Sequence, residues 1–140
     1  LRVPALYKDG DWEVPKSRLS REELVVYRNS EMSPETNRAL AACAAFRGDV
    51  LIVESEHDAM VPHPVIQNYL SACAKAQSLT YRMISDADHA LSEKEWQQTY
   101  TTLLVNWMAE MVLGARAGKT GTAALAPQAA AAEPPPREKD

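Results

Sequence analysis

Glycine is scarce in this chain, at five of 140 residues, and cysteine scarcer still, at two. Cys43 and Cys73 are too few for a disulfide framework and lack the spacing of a cysteine metal site. Both read as buried thiols in a reducing compartment, so a cytoplasmic location is expected. Neither sign of charge dominates: 15 Lys and Arg stand against 19 Asp and Glu, a net charge of −4. That balance leaves no basic stripe and argues against a nucleic-acid partner. No apolar run approaches the roughly 18 residues that a membrane-spanning helix needs. A charged-then-apolar signal segment is also missing from the N-terminus. The chain opens at Leu1 rather than Met, in LRVPALYKDGDW, which reads as the interior of a longer gene product.

What is present is ordinary for a globular domain: 46% hydrophobic and 24% charged residues, in a chain the length of one domain. Three parts can be told apart. Residues 1–49 are polar and punctuated by proline, with two short helical patterns. Ser20-Arg-Glu-Glu23 fits a capping box, a hydroxyl and a carboxylate meeting the free amides of a helix start. Ser33-Pro34 offers a cap and a first-turn proline for NRALAACAAF, and Gly48-Asp49 ends that helix.

Residues 50–113 hold the informative pattern. Val50-Leu-Ile-Val53 is short, apolar and β-branched, as expected of a strand covered on both faces of a parallel sheet. Pro64 opens a helix with Val65, Ile66, Tyr69, Leu70 and Cys73 on one stripe. Leu79 to Ile84 is a second strand. Ser92 to Glu95 reads as another capping box, starting a long helix with Trp96, Tyr100, Leu103, Leu104, Trp107, Met108 and Met111 along one face. Strand, helix and strand within so short a span predict a parallel, right-handed crossover. Residues 114–140 are rich in Ala, Pro and Gly, and the composition predicts a disordered tail.

The first strand ends in an unusual way. VLIV runs into Glu54, Glu56, His57 and Asp58 before stopping at Val61-Pro62. In open parallel sheets, chemistry gathers at the carboxyl ends of strands, where loops can carry polar groups. The loop Ile84 to Ser92 lies at the next such end and carries His89. Asp58 and His89 are therefore offered by loops on one sheet edge. A carboxylate beside an imidazole is two thirds of a nucleophilic triad: it fixes the tautomer and stabilises the imidazolium.

On these residues, the segment 50–113 resembles the C-terminal portion of an α/β-hydrolase. In that family the acid follows one strand in a Gly-x-x-Asp-x-x-Val-Pro type of loop, and the histidine follows the next, ahead of the last helix. Asp58, with Val61 and Pro62 behind it, matches the acid. His89, within Ala87-Asp88-His89, matches the general base. The resemblance implies an α/β fold in which 1–49 is a cap-like helical remnant. It further implies a serine hydrolase acting on a small acyl substrate such as a carboxylic ester, without a cofactor. Ser55 and Asp86 stand where the family often has glycine; both suit turns, and Asp tolerates left-handed backbone. The larger departure is an absence. No Gly-x-Ser-x-Gly elbow and no oxyanion segment occur, and by the family's order both belong upstream of Leu1.

Other readings compete. Taken singly, an Asp after a strand is usually a turn residue and a His usually surface filler. Glu54 is the best substitute acid, Glu56 reads as solvated, His57 as a loop residue and His63 as a helix cap or surface contact. Glu54, Glu56, His57, Asp58, His63, Asp86, Asp88 and His89 offer metal ligands in quantity, yet none has specific zinc spacing. Gly114 to Thr120 resembles a phosphate loop but has three residues between its glycines rather than four, and follows a helix. An alternative reading is a catalytically silent remnant of such a hydrolase, since two parallel strands and their helices cannot bury both faces of a sheet and isolated two-strand sheets are marginal.

Overall fold

The computed structural model describes residues 1–123, with side chains through residue 117. Two compact units divide the chain, Leu1–Trp107 and Met108–Asp140. The first is mixed α/β, as expected. Strand β1 (Asp49–Ser55) and strand β2 (Ser78–Ile84) pair in parallel, with Asp49 opposite Ser78 and Ser55 opposite Ile84. Every residue of β1 from Val50 onward is buried.

That burial follows from the period of a strand, which sends alternate side chains to opposite faces. Val50 and Ile52 enter one core with Leu6, Leu40, Val61, Val65, Ile66 and Tyr69. Leu51 and Val53 enter another with Ile84, Ala87 and Leu91, against which Trp96, Tyr100, Leu103, Leu104 and Trp107 pack. Each fully buried aliphatic side chain contributes roughly 1.5–3 kcal/mol. Leu6 and Leu40 belong to the first core, so part of the segment 1–49 is built into it.

The edge of β1 away from β2 is not bare. Leu1–Val3 lies along it: the Val53 amide donates to Leu1 O at 2.9 Å, and the Val3 amide donates to Val53 O at 3.0 Å. Arg2 forms an isolated parallel bridge with Val53. Nothing in LRVP marks this pairing, because it joins residues some 50 positions apart.

Four α-helices and three short 3-10 helices (Asp9–Asp11, Lys16–Arg18 and Cys73–Lys75) complete the described elements. Helix α1 (Arg21–Arg28) starts as predicted, with Ser20 Oγ accepting from the Glu23 amide at 3.2 Å. Helix α2 (Arg38–Ala45) starts later than predicted. Asn37, not Ser33, caps it, its Oδ1 accepting from Ala39 and Leu40. Ser33 instead closes a turn with Thr36. Helix α3 (His63–Ala72) has Pro64 in its first turn and buries Val65, Ile66 and Tyr69. Helix α4 (Lys94–Ala123) spans the boundary between the two units.

Two predictions about α4 need correction. Ser92 does not cap it: the helix begins at Lys94, and no described amide of its first turn donates to the Ser92 hydroxyl, which itself donates to Asp88 Oδ2 at 2.5 Å. Nor does the helix stop before Gly114, since it continues to Ala123. Trp96 to Trp107 follow the predicted stripe, whereas Met108 is 54% exposed. The rest of the predicted tail, 124–140, lies outside the described residues.

Candidate active site

The loop after β1 is short and tied down at each step. Its Glu56 amide donates to Ile84 O at 3.1 Å and its His57 amide to Ala87 O at 2.9 Å, which joins it to the loop after β2. Val61 is buried in the first core and Pro62 precedes α3, so the return path is fixed as well. Asp58 uses this frame fully. Oδ1 accepts from the Met60 and Val61 amides, both at 2.8 Å. Oδ2 lies 2.8 Å from His89 Nδ1. The carboxylate is 1% exposed, the imidazole 36%.

The histidine loop is held by its own polar groups. Asp88 accepts from the Ser92 amide and hydroxyl, and these bonds hold its carboxyl below the ordinary value. The Arg2 guanidinium donates to His89 O at 2.5 Å and lies 5.7 Å from the Tyr100 ring centroid. Three described non-glycine residues have positive φ: Val3 (34°), Asp86 (59°) and Leu91 (53°). All three flank this region. The value at Asp86 is a left-handed backbone, which Asp tolerates better than most residues. Such backbone costs of order 1–3 kcal/mol per residue and persists only where packing over-determines it. Leu91 meets that condition, buried at 5% in the second core.

Chemically, the arrangement is directional. A carboxylate only accepts, so His89 Nδ1 must carry the hydrogen it donates. In the neutral ring Nε2 then carries the lone pair, and no hydrogen bond to it occurs among the described residues. That is the tautomer of a general base.

A second carboxylate–imidazole pair sits nearby and is built differently. His63 Nδ1 lies 2.9 and 3.1 Å from the two oxygens of Glu54. The Tyr81 hydroxyl also donates to Glu54, at 2.5 Å. Here the far nitrogen is covered, with Gln67 Nε2 at 2.8 Å from His63 Nε2. Glu54 is 4% exposed. It pairs with His63 rather than His89, and so does not take the place of Asp58 beside His89. Burial, then the bond to Glu54, pushes Tyr81 up to about 12. Sequence reasoning did not find this cluster, and the available signal is weak: Tyr81 stands two residues before Met83, the register partner of Glu54.

The remaining candidates separate cleanly. Glu56, His57 and Asp86 bring ligand atoms within 4.8 Å of one another, but all three are exposed, and the Asp86 amide bonds to Glu56. A cavity of about 400 Å³ opens at the other end of β1, lined by Leu1, Cys43, Phe46, Val50, Leu104 and Trp107 among others. Its lining is mostly apolar, with Asp49 at its edge, and the Asp58–His89 pair is not part of it. Cys73 also borders it; burial pushes that thiol up to about 11, too high for a nucleophile at neutral pH. Cys43 is half-buried rather than buried. No described helix is long and apolar enough to cross a membrane. No protein-family model matches the chain, and a search of curated proteins finds no match either.

Proposed function

We propose that this chain is the C-terminal part of a serine hydrolase of the α/β-hydrolase type, with Asp58 as the triad acid and His89 as the general base. The reaction is acyl transfer to water from a small carboxylic ester or a related acyl substrate. A serine outside this chain supplies the nucleophile. Its proton passes to His89 Nε2 as the acyl–oxygen bond forms, and Asp58 stabilises the imidazolium. His89 then returns the proton to the leaving group, and a water repeats the cycle on the acyl-enzyme.

The observation that carries this reading is the contrast between the two imidazoles. His63 has both nitrogens occupied. His89 has its inner nitrogen on a buried carboxylate and its outer one open. By itself the chain is silent, because none of its nine serines presents an oxygen to that nitrogen among the described contacts.

The test is turnover of a short-chain activated ester by the longer polypeptide that includes the upstream sequence. His89→Ala is expected to lower turnover by ~10⁴-fold or more, and Asp58→Asn by a similar order through the wrong tautomer. His57→Ala costs little by comparison. Full activity in the His89 variant refutes the assignment.

A further inference from the structure

We propose that Glu54, His63 and Tyr81 form a clamp that positions Asp58, and that Glu54 is thereby a positioning residue for the reaction. The inference rests on the reading of Asp58 and His89 as acid and base.

Glu54 is the next-to-last residue of β1, and His63 is the first residue of α3. Everything between them is the loop that carries Asp58. The bond of 2.9 Å from His63 Nδ1 to Glu54 Oε1 therefore closes that loop at its base. Tyr81 lies on β2, the strand that leads to the His89 loop, and its hydroxyl donates to the other oxygen of the same carboxylate. One buried carboxylate thus ties together the strand before the acid, the helix after it and the strand before the base.

A purely structural core would not favour this choice. Burying a carboxylate costs several kcal/mol unless its oxygens are well paired, and an apolar side chain of similar volume often does as well. What the charged group adds is direction. Its bonds reach His63 and Tyr81 only at a fixed geometry, whereas an apolar contact tolerates sliding. The Gln67 amide completes the device: it donates to His63 Nε2, which keeps the imidazole hydrogen on Nδ1, facing Glu54. His63 is 56% exposed, so without Gln67 its ring could turn toward water.

Asp58 bonds to its own loop through the Met60 and Val61 amides, so it follows the loop as a body. A loop freed at its base is still held by the Glu56 and His57 amides and by Val61, so the carboxylate loosens against His89 while β1 and β2 stay paired. That separation of effects gives the test.

The experiment is proton NMR of the full 140-residue chain. It follows the low-field Nδ1 proton of His89, assigned by its loss in His89→Ala, together with amide protection across β1 and β2. In the unsubstituted chain the low-field proton is present and exchanges slowly. His63→Ala and Glu54→Gln are expected to speed its exchange about tenfold or more, the equivalent of one lost charge-assisted hydrogen bond. Amide protection in β1 and β2 stays unchanged. His63→Gln, which can still donate to Glu54, restores slow exchange. Unchanged exchange in His63→Ala with the sheet intact overturns the clamp. If Glu54→Gln and His63→Ala abolish sheet protection, Tyr81→Phe decides: faster exchange over an intact sheet supports the clamp, and unchanged exchange overturns it. Absence of the low-field proton from the unsubstituted chain contradicts the Asp58–His89 pairing itself, and the clamp falls with it.

Discussion

Gln67 Nε2 lies 2.8 Å from His63 Nε2, on the nitrogen that does not face Glu54. Among the described residues the same nitrogen of His89 has no such cover, and on the proposed reading this difference separates a structural histidine from a chemical one. Two imidazoles on two carboxylates look alike in a sequence. Their outer nitrogens tell them apart.

The first prediction concerns reactivity. The isolated chain should show no ester hydrolysis above that of a surface imidazole, and no labelling by a serine-directed phosphonate. Ser92, three residues past His89, spends its hydroxyl on Asp88. Mass spectrometry after phosphonate treatment checks this, and stoichiometric labelling would show a competent nucleophile within the chain.

The second prediction separates charge from shape at Asp58. Asp58→Ala leaves the Met60 and Val61 amides without an acceptor and should cost about 1–3 kcal/mol in urea unfolding. Asp58→Asn keeps an oxygen for those amides and should cost clearly less. Equal losses would mean that the loop does not depend on Oδ1.

The third prediction concerns Asn37, which is 1% exposed. Its side chain accepts from the Ala39 and Leu40 amides and donates to Tyr7 O and the Tyr27 hydroxyl. Asn37→Ala should destabilise the chain by about 2–3 kcal/mol, combining a lost cap with stranded polar groups. Ser33→Ala should change stability far less. The urea midpoints of the two variants decide between these caps.

The fourth prediction is an alkaline transition. Burial pushes Tyr69 and Tyr81 from 10.0 up to about 12, and Cys73 from 9.0 up to about 11. In each case the folded state keeps a proton that the unfolded state has released. The stability that these three groups contribute is therefore complete below about pH 9 and falls as pH rises toward about 12. Tyr81→Phe should flatten the fall between pH 10 and about 12. Unfolding midpoints across that range measure it; an unchanged slope would show that Tyr81 is not held neutral.

Much of the fold was legible because its signals are local. The β-branched run of β1, the stripe of α3 and the Trp96 to Trp107 face of α4 each follow from one period. Asp58 and His89 were legible from chain order, since a parallel crossover puts both loops at one sheet end. What stayed hidden depends on distant partners. Leu1–Val3 pairs with β1 across the whole intervening segment, and Arg2 reaches the His89 carbonyl across 87 positions. Asn37 outcompetes Ser33 as a cap because its amide also satisfies Tyr7 and Tyr27. Ser92 fits a capping pattern, but the helix begins only at Lys94, and no described amide of its first turn donates to the Ser92 hydroxyl. Glu54 reads as an acid at a strand end, and only the register brings Tyr81 to it.

The measurement closest to the central claim is the tautomer of His89, read by nitrogen NMR of the isotopically labelled chain above the imidazole titration. Asp58 is expected to hold the hydrogen on Nδ1, leaving Nε2 with the shift of an unprotonated ring nitrogen. In Asp58→Ala that preference should disappear, while the His63 signals stay as they were. A His89 that keeps its hydrogen on Nε2, or that ignores the loss of Asp58, would contradict the account.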